Sequence, residues 1–140
     1  MGVRHMKVID RDLAIMMILE SHKNIDPAWE EHLEFWGNEK PGITNDFLVY
    51  VYYVAELVLL ENKQELEVAS SLIEKFIEQG DSDVRYGATI GFLEGVTNVL
   101  LRKKERFQIL FAQYLKPKSR EFCIELDKFW GTKTAGITNA

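Results

Sequence analysis

A single cysteine among 140 residues excludes an internal disulfide and any multi-cysteine metal site. Cys123 falls within a helical pattern and reads as a small core residue rather than a nucleophile. Three prolines and nine glycines are too few for a loop-rich or disordered chain. Long hydrophobic runs are also missing. The apolar stretch from Phe47 to Leu60 covers 14 residues and contains Glu56, whereas a bilayer span needs about 20. No segment near the start has the order of a signal peptide, so the cytoplasm is the expected compartment. His5-Met6 matches a common cloning scar. Residues 1–5 therefore read as a leader and 6–140 as a single helical domain of ordinary size.

The chemistry-bearing motifs are equally sparse. There is no Gly-rich phosphate loop, Walker lysine or nucleophile elbow. His22 and His32 lack zinc-protease spacing, and Asp81-x-Asp83 continues directly into a helix rather than a calcium loop. The expectation is a chain with no catalytic set, no cofactor and no metal.

What remains is helical periodicity. A first helix runs from about Ile9 to Ser21. Asp26-Pro27 supplies an N-cap and an early proline for a second helix. That helix carries Trp29, Leu33 and Trp36 along one side and stops at Gly37. Thr44 or Asn45 caps a third, Asp46 to Glu61, apolar nearly all round and therefore central. A fourth covers about Lys63 to Gln79. Shorter helices follow at about Arg106 to Leu115 and Lys118 to Trp130. Short connections favour antiparallel neighbours. The fold class read from this pattern is all-α, with six to seven antiparallel helices.

Between them, Asp81 to Arg102 reads as one long helix with Gly87, Gly91 and Gly95 at i, i+4 spacing. Each interior glycine costs roughly 1 kcal/mol relative to alanine, so three need a reason. They fall within about an 80° sector, with Asp83, Glu94 and Asn98 in or beside it. Ala88, Phe92, Val96, Val99 and Leu100 form the opposite, core-facing stripe. A face of bare backbone either packs tightly under another helix or lets a partner approach.

One internal repeat stands out. Phe35-Trp36-Gly37, four residues, then Gly42-Ile43-Thr44-Asn45 recurs as Phe129-Trp130-Gly131, four residues, then Gly136-Ile137-Thr138-Asn139. The copies lie 94 residues apart. Each reads as a helix end, a C′ glycine, a loop with isoleucine to bury, and an N-cap.

Asp83-Val84-Arg85, two residues, then Ala88 resembles the helix pattern of HEAT-type repeats over about one helix pair, Leu66 to Val99. In that family the aspartate sits near the helix start, valine and alanine face the core, and the arginine pairs with a neighbouring repeat. The resemblance implies a HEAT-like superhelical stack, from which the three glycines depart. More loosely, the chain is similar to small, acidic, all-helical bacterial proteins, some of which act as immunity proteins beside toxins.

Charge is unevenly distributed. Asp26 to Glu34 holds four acids and no base, and Glu56 to Asp83 holds eight acids against two lysines. Arg102 to Arg120 holds seven bases and one acid. Acidic blocks repel nucleic acid and speed encounter with a basic protein. The leading expectation is a protein-binding module, an immunity protein that neutralises a basic toxin such as a nuclease. Its candidate partner-binding residues are Asp83, Gly91, Glu94 and Asn98, with Glu56, Tyr52 and Tyr53 on the third helix. Nucleic-acid binding by the basic edge 102–120 is an alternative that the net charge disfavours. Others are a homodimer through the glycine face, and an enzyme using Glu56 and Glu94 in a deep polar cavity.

Overall fold

Asp10 opens the first helix, its carboxylate accepting the Leu13 amide at 2.9 Å and so satisfying one of the free amides of the first turn. The computed structural model describes residues 8–139, and the expected leader, 1–5, lies outside them. Helix α1 spans Arg11–Ser21 and α2 spans Asp26–Trp36. Asp26 is not the N-cap expected from the sequence. A 3₁₀ turn, Lys23–Ile25, already holds its backbone helical, so Ile25 takes the capping position.

Helix α3, Ile43–Leu59, starts earlier than expected, from an extended Gly42. The Asn45 and Asp46 amides both donate to the Gly42 carbonyl, which places Thr44 and Asn45 inside the first turn rather than at its cap. Helix α4, Lys63–Gln79, is capped by Asn62. Next come α5, Ser82–Tyr86, a π-helical segment, Gly87–Leu93, and α6, Glu94–Leu100, continuous as one rod. Helices α7, Glu105–Tyr114, and α8, Pro117–Trp130, complete the set. Glu74 of α4 accepts the Lys118 and Ser119 amides at 2.8 and 2.9 Å, capping α8 from another helix. Among the described residues there are seven helical rods and no strand longer than an isolated bridge. The chain is all-α.

Helix α3 is the axis of the core. Phe47, Tyr50, Val51, Val54 and Val58 are buried between Leu66, Ile73 and Phe76 of α4 and Ala88, Phe92 and Val96 of the glycine-bearing rod. An apolar surface on all sides suits only such a position.

The glycine face is where α3 and this rod meet. A Cβ on Gly87 would overlap the Phe47 ring, and one on Gly95 would lie 2.8 Å from Val51 Cγ2. At Gly91 it would sit 3.5 Å from Phe47 Cβ, an ordinary contact. The bare backbone therefore seats α3, and a partner or second copy cannot use it. The same stretch winds as a π-helix, which widens the turn and loosens the i→i−4 ladder. The Thr89 hydroxyl donates to the Arg85 carbonyl at 2.7 Å and that of Thr97 to Leu93 at 2.8 Å.

Past Gly131, whose φ of 67° ends α8, the chain folds back on itself. Asp127 accepts the hydroxyls of Thr132, Thr134 and Thr138 and the Thr134 amide. Burial works against its ionisation, but these bonds outweigh it and hold the carboxyl below the usual range. Arg120 donates to the Gly136 and Ala112 carbonyls. The second copy of the repeat thus forms a clasp around Asp127 rather than an N-cap.

Candidate functional site

Helix α2 contributes no fully buried side chain, and Leu33, expected on its packed side, is exposed. Its contact with α3 leaves a cleft of about 710 Å³. Phe35 and Trp36 form one wall, and Leu48, Tyr52 and Tyr53 the other. Glu31 and Glu56 stand on the two sides. Phe35 is 81% exposed and Tyr52 60%, far more apolar ring than a helix surface needs to show. Clefts of this size, mostly apolar with a few polar groups, are the usual form of a binding site.

One buried carboxylate sets the wall. Asp46, in the first turn of α3, accepts Arg11 Nε on one oxygen and pairs with His32 Nε2 at 2.9 Å on the other. The bond from Asp46 pushes the Arg11 guanidinium above its ordinary value. The ring of His32 lies 5.0 Å from Trp29 at 33°, with Trp36 beyond it at 6.4 Å. The imidazole is thereby fixed within an aromatic row, and α2 is tied to α1 and α3 through a single side chain.

A second polar chain runs from the cleft into the core. The Tyr53 hydroxyl donates to Glu65 Oε1 at 3.2 Å. Glu65 Oε2 lies 3.4 Å from His22 Nδ1, and His22 Nε2 is 2.7 Å from the Tyr50 hydroxyl. His22 is fully buried, and its Nδ1 makes no hydrogen bond among the described residues. Burial lowers the His22 pKa against the pull of Glu65. Burial and the Glu65 charge together push the Tyr53 phenol up to about 12, so both groups are neutral at pH 7.

Of the residues singled out in the sequence, Tyr52, Tyr53 and Glu56 share this cleft. Glu94 faces a different one, lined by Ile90, Phe122, Phe129 and Trp130. Glu56 and Glu94 therefore do not meet, and neither forms an ion pair among the described residues. Asp83 and Asn98 are exposed and line neither cleft, while Gly91 is packed on Thr44 and Phe47. The interior holds a void of only about 10 Å³, between Val54, Ile73, Phe92 and Phe111. Among the described residues no group of three or more His, Cys, Asp or Glu side chains could hold a metal ion, and no helix is long and apolar enough to cross a membrane.

The family model for DUF7674, a domain of unknown function, matches residues 15–131. The chain belongs to that family. The matched span of this DUF7674 member contains the whole α2–α3 cleft, both Phe-Trp pairs and the glycine-bearing rod. Comparisons with curated proteins and with solved structures give no match.

His32, Phe35, Leu48 and Asp46 escaped the sequence reading as site residues. The repeated Phe-Trp-Gly was the available signal, because a tandem aromatic pair on a polar helix cannot bury both rings. Asp46 gave none, since its partners come from two other helices.

The basic edge is less continuous than its sequence. Lys116 pairs with Glu67 at 2.5 Å, and Arg120 is spent on backbone carbonyls. Arg102, Lys103, Lys104 and Arg106 are exposed, the last lying over the Phe107 ring. Arg85, which the HEAT resemblance pairs with a neighbouring repeat, is exposed and makes no ion pair among the described residues.

Proposed function

We propose that this DUF7674 member is a protein-binding module whose α2–α3 cleft takes a basic, apolar segment of a partner protein. The observation that carries this is the pairing of exposed apolar side chains with flanking carboxylates in one cleft: the Phe35 and Tyr52 rings and Leu48, between Glu31 and Glu56. Solvent-facing apolar patches of this kind mark interaction sites. Glu30 and Glu34 extend the acidic side along α2, a helix without lysine or arginine. A lysine or arginine entering the cleft gains the carboxylates and the ring faces together. Tyrosine and tryptophan supply rigid contact area at low entropic cost.

The narrower form of this reading is an immunity protein that neutralises a basic toxin, with Glu31 and Glu56 standing where the toxin would meet phosphate. A HEAT-like stack would suit that role by presenting helices side by side. The nucleic-acid reading retains five exposed cations, four at the α6–α7 corner and Lys118, and steep salt dependence of DNA or RNA binding would favour it.

The test is titration of the intact chain with a Leu/Lys amphipathic peptide and with its Leu/Glu counterpart, read by tryptophan fluorescence. Binding of the lysine peptide alone, weakened roughly five-fold by each of Glu31→Lys and Glu56→Lys, is the expected result. Equal affinity for both peptides, or none for either, would sink the proposal.

A further inference from the structure

The Phe-Trp-Gly repeat does more than end two helices. Both copies close with a glycine at positive φ, 57° at Gly37 and 67° at Gly131. In both, the two rings stand edge to face, at 83° and 5.7 Å in the first pair and 85° and 5.1 Å in the second. Phe129 is 78% exposed and Trp130 61%, as Phe35 is in the first copy. Each pair borders a cleft, of about 710 Å³ for Phe35-Trp36 and about 600 Å³ for Phe129-Trp130.

The resemblance extends to charge. Glu31 precedes Phe35 by four residues, and Glu125 precedes Phe129 by four, one helical turn back on the same face. A second carboxylate stands across each cleft, Glu56 on α3 in the first and Glu94 at the start of α6 in the second. Further apolar side chains line both clefts, Leu48 and Val49 in one, Ile90 and Phe122 in the other. Simple duplication of a helix end would repeat the rings and the glycine. It would not place a carboxylate from an unrelated helix opposite each pair.

We infer that the cleft between α8 and the π-helical segment is a second binding site of the same class. It takes a lysine- or arginine-bearing apolar segment, so that one chain holds two such segments. The inference rests on the reading of the α2–α3 cleft given above. The sites differ in one respect. Lys128 lies in the second cleft and pairs with Glu125 at 3.3 Å. Both side chains are largely exposed, so a ligand cation displaces that pair at little cost. The second site is therefore the weaker and has the shallower salt dependence.

Calorimetric titration of the full chain with the Leu/Lys peptide counts the sites, and two peptides per chain are expected. Phe35→Ala and Phe129→Ala alter exposed rings, so both variants should keep the parent melting temperature. Each should reduce the count to one. Glu94→Lys should weaken only the binding that survives Phe35→Ala, by roughly five-fold. Trp36→Phe and Trp130→Phe assign each event to its cleft by which fluorescence change is lost. One peptide per chain, unaffected by Phe129→Ala, overturns the second site and leaves the first standing. No binding in either cleft overturns both readings. A count of one together with self-association abolished by Phe129→Ala would make a second copy the occupant and also overturn the inference. Equal binding of the Leu/Glu peptide would show that the carboxylates select nothing.

Discussion

Gly87 lies so close beneath the Phe47 ring that a single methyl group has no room between them. Phe47 is fully buried and packs edge to face on Phe76 at 6.0 Å, so it has nowhere to retreat. Gly87→Ala should destabilise the fold by about 1–3 kcal/mol through overpacking. Gly95→Ala meets Val51 Cγ2 at 2.8 Å, a lesser overlap than that with the Phe47 ring at Gly87, and should cost less. Gly91→Ala finds ordinary contact and should be neutral, or stabilising by up to roughly 1 kcal/mol from helix propensity. Chemical denaturation of the three variants checks the order, and equal effects would refute the packing assigned to this face.

Asp46 connects three helices through Arg11 and His32. Asp46→Ala leaves a half-buried imidazole and a guanidinium without their acceptor, and should cost about 2–4 kcal/mol. It should also loosen the cleft wall, seen as a shift in tryptophan emission before global unfolding. Arg11→Ala should cost less, because Arg11 is partly solvated and His32 retains its bond.

Two groups make stability fall on the acid side in separate windows. His22 has a folded pKa below its ordinary 6.5, so the unfolded chain binds the proton more readily. Its stabilising effect is complete above about pH 6.5 and declines below it. Asp127 has a folded pKa below 3.8, so its contribution is complete above that value and is lost as pH falls through the depressed one. In urea titrations across pH, His22→Asn should flatten the first decline and Asp127→Asn the second. Interchanged windows would contradict both assignments.

Asp127 also holds the C-terminal clasp. Asp127→Ala removes the acceptor for three threonine hydroxyls and one amide. The expected cost is about 2–3 kcal/mol, by the worth of hydrogen bonds to a charged group. Proteolysis should then cut after Gly131 well before the helices.

Cys123 should be inert in the native state. Burial, with Asp127 nearby, pushes its thiol up to about 12, leaving almost no thiolate at pH 8. Labelling by a disulfide reagent should follow the unfolding rate rather than reagent concentration.

Local signals carried much of the fold. The 3.6-residue period of α4, with Gly80 after it, made the extent of that helix legible, while its Asn62 cap emerged only in the structure. The all-apolar surface of α3 announced its central position, whereas the glycines at i, i+4 left open whether a helix or a partner would lie on them. The helix starts at Asp26 and Thr44 were misplaced because the preceding backbone, a 3₁₀ turn in one case and an extended Gly42 in the other, set them rather than a capping side chain.

The sequence by itself determined that this DUF7674 chain is all-helical, acidic in two blocks, and built with one face able to approach another helix. Those properties follow from side-chain period, composition and the absence of a Cβ, all of which act over a few residues. Only the tertiary structure decided that α3 fills the glycine face, that Glu56 and Glu94 part company, and that Asp46 gathers Arg11 and His32. Those outcomes depend on which rods become neighbours. Packing settles that between residues tens of positions apart, where no local spacing records it.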